Sequence, residues 1–121
     1  MCGIVGYIGN REAVPILISG LKKLEYRGYD SAGVAIISNA KIHIRKTPGK
    51  INDLLSLIRK APPPSSSLGI AHTRWATHGG GTQENAHPHS DCKDNFFLVH
   101  NGIIENYAIL KEKLEKKGHR F

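Results

Sequence analysis

A cysteine directly follows the initiator methionine in Met1-Cys2-Gly3-Ile4-Val5-Gly6. With Met1 removed, Cys2 carries a thiol and a free α-amine, whose reference pKa values are about 8.5 and roughly 7.7–8.0, so the amine can take the thiol proton near neutral pH. Nucleophile and base can then share one residue; the competing reading is a small buried side chain near a terminus. A second cluster is His72-Thr73-Arg74-Trp75-Ala76-Thr77-His78, which ends in Gly79-Gly80-Gly81. Arg74 can grip a carboxylate with a two-pronged hydrogen bond, or it can pack on Trp75 or pair with a surface acid. A third is Asn101-Gly102, which is either a plain turn or a pair of donors, one side-chain amide and one backbone N–H, aimed at a tetrahedral oxygen. The histidines of Asn85-Ala86-His87-Pro88-His89, with His72, His78, His100 or Cys92, raise a metal hypothesis. The chain has no Cys-x-x-Cys pair and no His-x-x-x-His pair on a clear helix, so no metal or other cofactor is expected. The histidines are expected to order their loop by hydrogen bonding. Cys92 has no base nearby in sequence and reads as incidental.

These residues need elements to position them. Ile4 to Ile8 reads as a strand and Val14, Leu17, Ile18, Leu21 and Leu24 as a helix, with Asn10 as candidate N-cap and Pro15 tolerated only in the first turn. Glu25 to Ser31 is polar and glycine-broken, a loop that holds Arg27. Ala32 to Ile37 and Lys41 to Arg45, joined by a turn at Ser38-Asn39-Ala40, predict a hairpin with one wet face and His43 turned to solvent. Ile51, Leu54, Leu55 and Ile58 mark a second amphipathic helix. The run Pro62-Pro63-Pro64-Ser65-Ser66-Ser67 is short and reads as a surface loop inside one domain, because a strand, Leu68 to Ala71, follows at once. Phe96 to Val99 is a buried-type strand, and Tyr107, Leu110 and Leu114 give a helix that ends at Gly118.

At 121 residues and 40% hydrophobic content, the chain has the size and composition of one folded domain or part of one. The net charge of +7 is scattered, and its densest stretch, Lys111 to Lys117, interleaves acids and lacks the aromatic residues that stack bases, so no nucleic-acid role is expected. No segment reads as a signal peptide or a membrane span, and two cysteines make no disulfide framework, so no membrane association and a cytoplasmic location are expected.

In order along the chain, Met-Cys-Gly-Ile-Val-Gly, Leu24-Glu25-Tyr26-Arg27-Gly28-Tyr29-Asp30-Ser31-Ala32-Gly33, His72 to Gly79, Asn85 to His89 and His100-Asn101-Gly102-Ile103-Ile104-Glu105-Asn106 resemble the glutaminase domain of the glutamine–fructose-6-phosphate aminotransferase (isomerizing) family. That family belongs to the class II, N-terminal-nucleophile amidotransferases. Amidophosphoribosyltransferase, a relative and the alternative reading, shares the Cys-Gly-Ile start, while Tyr-Arg-Gly-Tyr-Asp-Ser and Thr-Arg-Trp-Ala-Thr-His favour the sugar enzyme. The resemblance implies an α+β, four-layer α/β/β/α sandwich of antiparallel sheets, incomplete here, with residues 1–121 the N-terminal part of one glutaminase domain. It implies that Cys2 attacks the side-chain amide of L-glutamine, forms a γ-glutamyl thioester and releases ammonia. Asn101 and Gly102 would form the oxyanion hole, Arg74, Thr77 and His78 would bind the substrate, and Arg27 would support the nucleophile region. Trp75 matches a gate on the ammonia route to a sugar isomerase domain that aminates fructose 6-phosphate, in an enzyme that is a homo-oligomer, a dimer. The family's acidic Thr-Asp-Thr-Glu-type segment, whose aspartate binds the substrate α-amino group, is missing from these residues. The chain could therefore also be a binding or assembly module, inactive alone.

Overall fold

A computed structural model describes residues 2–27, 29–75 and 81–121, with the side chain of Arg27 outside the description. Its main sheet has four antiparallel strands in the order β1-β4-β2-β3, where β1 is Gly3–Ile8, β2 is Ser31–Ser38, β3 is Lys41–Pro48 and β4 is Leu68–Arg74. A two-stranded antiparallel sheet pairs β5, His89–Ser90, with β6, Phe97–Leu98. The helices are α1, Ala13–Lys23, α2, Ile51–Lys60, and α3, Tyr107–Lys116.

The register divides the main sheet into two faces with different chemistry. Val5 lies opposite Ala71, and Ala71 opposite Val34, so these residues share one face. That face packs on α1 and α2 through Ala13, Leu17, Leu21, Ile51 and Leu54, all fully buried. The other face carries Ile4 opposite His72, His72 opposite Gly33, and Arg74 opposite Ser31. Two residues along β4 is one step on the same face, so His72 and Arg74 project to the same side.

The helix termini differ from expectation in ways local chemistry explains. Helix α1 begins at Ala13 with Glu12, not Asn10, at the N-cap position. Pro15 is thus the third helical residue, where the missing N–H would have had no intrahelical partner. Glu12 instead ties down the Pro/Ser segment: its carboxylate accepts from the Ser65 hydroxyl and from Ser66 N–H, and Ser66 O accepts from Ala13 N–H at 2.8 Å. The Asp53 carboxylate accepts from Lys50 N–H at 2.7 Å at the start of α2. Helix α3 ends as predicted, with Gly118 at φ +92° and paired bonds from Gly118 N–H to Glu115 O and from His119 N–H to Leu114 O, a Schellman closure.

Three expectations are corrected. The segment from Glu25 contains one 3-10 turn, Glu25–Arg27. The hairpin β2–β3 has no cleanly wet face: Ser31 to Ile36 are buried on both phases, and His43 is half-buried. β2 is an inner strand, with helices over one face and the segment around His87-Pro88 over the other, where a Cβ on Gly33 would come 2.1 Å from His87 O. The last strand is shorter and less buried than Phe96 to Val99 implied, with Phe96 and Leu98 exposed.

Candidate active site

β1 and β4 are antiparallel, so the start of β1 lies beside the end of β4 and brings Cys2 to Trp75. Trp75 N–H donates to Cys2 Sγ at 3.4 Å, and the thiol faces Trp75 O at 3.7 Å. Gly3 follows for packing reasons: a Cβ there would meet Leu24 Cδ1 at 2.5 Å. A cavity of about 790 Å³ opens at this corner, lined by Cys2, Arg74, Trp75, His87, Gly102 and Tyr107 among others. Arg74 is almost fully buried, while the Trp75 indole is half exposed at the rim.

Asn101 also reaches Cys2. Its Nδ2 donates to the Cys2 carbonyl at 3.3 Å, and its Oδ1 lies 2.7 Å from His72 Nε2. The structure therefore brings together Cys2, Arg74, Trp75, Asn101 and Gly102, residues nearly a hundred positions apart in sequence. Arg27 lies in the 3-10 turn. Thr77 and His78, the other expected substrate contacts, lie outside the described residues.

Three imidazoles cluster near Arg74, His87 and His89 lining the cavity and His72 stacked behind His87, and the sequence did not single them out for this. His72 stacks on His87 with centroids 4.3 Å apart, and His89 meets His87 edge-on at 4.3 Å. All three hold less tightly to a proton than usual. Burial is the main cause at each. For His87 the neighbouring His72, His89, Arg74 and Lys46 add to it, and its pKa is pushed down to about 3. The expectation that the histidines order their loop by hydrogen bonding is not met at His87, whose Nδ1 is buried with no partner among the described residues: it makes ring contacts, and Lys46 supplies hydrogen bonds, its Nζ donating to Ala86 O at 2.9 Å and Pro88 O at 3.2 Å. The signal for His72 was available, since it precedes Arg74 by one same-face step. Cys92 is not without a neighbour: its Sγ lies 3.6 Å from His119 Nδ1. Among the described residues, no group of three His, Cys, Asp or Glu side chains could hold a metal ion. No helix of the described residues is long and apolar enough to cross a membrane.

Cys2 at the head of an edge strand of an antiparallel sheet, with helices packed on one face of that sheet and the Asn101 amide bonded to the Cys2 carbonyl, is an arrangement similar to the amidotransferase-type N-terminal-nucleophile fold. The solved glutamine phosphoribosylpyrophosphate amidotransferase of B. subtilis superposes with a TM-score of 0.74 and 29% identity, over 98% of this chain and 26% of that one. In sequence, the chain is 60% identical over 122 residues to the glutamine–fructose-6-phosphate aminotransferase (isomerizing) of Bacteroides thetaiotaomicron. It is 54% identical over 118 residues to that of Symbiobacterium thermophilum and 55% identical over 121 residues to that of Aquifex aeolicus. No family model matches. By sequence the chain belongs with the N-terminal region of the glutamine–fructose-6-phosphate aminotransferases. It spans about a fifth of the length of these curated relatives, 19–20%, while 98–100% of its own length is matched.

Proposed function

We propose that this chain carries the nucleophile and much of the glutamine pocket of a glutaminase, as the N-terminal part of that domain. The observation that supports this most directly is Cys2 at the cavity mouth with Asn101 Nδ2 bonded to its own carbonyl. Once Met1 is removed, the Cys2 α-amine takes the thiol proton, and Sγ attacks the side-chain carbonyl carbon of L-glutamine. The carbonyl oxygen becomes an oxyanion that Asn101 Nδ2 and Gly102 N–H stabilise. The carbon–nitrogen bond then breaks, the ammonium form of the α-amine returns its proton to the leaving nitrogen, and ammonia departs from a γ-glutamyl thioester. Water attacks the thioester, glutamate leaves and the thiol is restored. Arg74 holds the substrate α-carboxylate, with Thr77 and His78 assigned as further substrate contacts; Arg27 supports the nucleophile region and Trp75 gates the ammonia.

In the longer protein, the ammonia passes to a sugar isomerase domain, where fructose 6-phosphate becomes glucosamine 6-phosphate in a homodimer. Identity of 53–60% to the sugar enzymes against 29% to the phosphoribosylpyrophosphate enzyme favours that acceptor. The test is glutamate release by the full-length protein: Cys2→Ala lowers kcat by at least about 10³-fold, the scale at which a covalent nucleophile is lost. Glutaminase activity retained in that variant would sink the assignment.

A further inference from the structure

His72 has no place in the chemistry above, yet it is fully buried, and its Nε2 lies 2.7 Å from Asn101 Oδ1. The Asn101 amide can face Cys2 in two ways. With Nδ2 toward the Cys2 carbonyl, it donates at 3.3 Å; turned over, it would set its oxygen against that carbonyl oxygen, two acceptors with no proton between them. In the first orientation Oδ1 is left as an acceptor 2.7 Å from His72 Nε2, a contact that an Nε2–H satisfies and that an unprotonated Nε2 would turn into two facing acceptors. His72 Nδ1 is buried with no hydrogen-bond partner among the described residues, as befits a nitrogen bearing a lone pair and no proton. The stack on His87 and the seat between Ile4 and Gly33 fix the ring plane.

We propose that His72 is a positioning residue: as the Nε2–H tautomer it holds the Asn101 amide so that Nδ2 faces Cys2 and the oxyanion. This rests on the glutaminase reading, and the experiment separates the two. Glutaminase kcat and KM are measured on the full-length protein, processed at Met1, as wild type and as N101A, H72A, H72Q and the H72A/N101A double variant. In parallel, the rate of Cys2 alkylation by iodoacetamide is followed, because displacement at a saturated carbon forms no oxyanion.

Expected are a fall in kcat of roughly 10²-fold for N101A and of about 10-fold or more for H72A, with KM for glutamine changed by less than a factor of about two. The double variant is no worse than N101A, since two residues that act through one amide are not additive. H72Q recovers most of the loss, because its amide N–H can take the place of Nε2–H, and alkylation rates are unchanged throughout. A multiplicative loss in the double variant overturns the proposal, as does a fall in alkylation that parallels kcat and is not rescued by H72Q, which marks general damage to the fold. Undiminished H72A beside an impaired N101A overturns it while leaving the glutaminase reading intact; undiminished N101A overturns the oxyanion assignment, and the positioning role falls with it. A readout free of variants is the imidazole nitrogen NMR spectrum of the wild type, in which a proton on Nδ1 of His72 would be decisive against it.

Discussion

His87 sits between two other imidazoles and near two cations, Arg74 and Lys46, and it stays neutral because burial, and then these neighbouring groups, disfavour its protonated form. The consequence is a stability that depends on pH in a known direction. Below its ordinary value near 6.5 and above its folded value of about 3, the unfolded chain takes up a proton at this site that the folded chain refuses. His72 and His89 are lowered as well, so they act in the same sense. Stability is therefore fully present above about pH 6.5 and falls as pH drops toward 3. Thermal midpoints between pH 7.5 and 5, a range in which most carboxylates do not yet titrate, should decline with acidification, and His87→Gln should decline less steeply. A flat wild-type profile would contradict the buried neutral stack. Arg74, in the same corner, is tested through binding rather than stability. Arg74→Lys keeps the charge and loses the fork, so KM for glutamine should rise about 10–100-fold, the equivalent of roughly 1.5–3 kcal/mol for a charge-assisted hydrogen bond. Steady-state kinetics in which kcat falls and KM does not would remove Arg74 from the carboxylate grip.

Among the elements, β2 is where packing and site meet. Gly33 is a glycine because the 82–89 segment crosses it closely: an added Cβ would stand 2.1 Å from His87 O, 2.7 Å from Lys46 Cβ and 3.0 Å from Pro88 Cδ. The first of these is backbone and cannot rotate away. Gly33→Ala should thus cost about 1–3 kcal/mol, as overpacking does, and it should lower glutaminase activity as well, because His87 lines the cavity. Urea unfolding together with glutamate release checks both, and a stable, active variant would show that the segment does not bear on β2. Much of this scale was legible in the residues. The three- and four-residue apolar steps of α1 and α2, and the Gly118 stop of α3, mark elements that local periodicity and capping decide. What could not be read was anything set by contacts distant in sequence. That Ser31 to Ile36 would be covered on both faces depends on a loop fifty residues on, and the bond from His72 to Asn101 spans a separation of 29. Cys2 and Arg74 could be named from their motifs, but the antiparallel pairing of β1 with β4 is what makes them neighbours.

At the scale of the whole molecule, the two ends of the chain are held very differently. Helix α1 lies on the core through Ala13, Leu17, Ile18 and Leu21, whereas α3 has no buried residue. Yet α3 and the turn before it carry Ile103, Ile104, Tyr107, Leu110 and Leu114, spaced as one apolar stripe and all exposed. A helix of ten residues is marginal in water without tertiary cover, since nucleation is costly and each added residue contributes little. Its internal supports are weak: the Lys116–Glu112 pair at 2.5 Å is exposed and of the kind worth a few tenths of a kcal/mol. Uncovered apolar area of this extent also favours association with any similar surface. Amide hydrogen exchange on the 121-residue chain should consequently divide sharply. The amides of α1 and β2 should exchange only on global opening, and those of α3 near the rate of an unstructured peptide. Dye binding to exposed apolar surface, and self-association that rises with concentration, should accompany the fast exchange, and Leu110→Lys with Leu114→Lys should reduce both without altering the protection of α1. In a chain of the relatives' full length, about five times this one, α3 should gain protection if that stripe is covered there. Equal protection of α1 and α3 in the 121-residue chain would show that α3 is held by the described core after all.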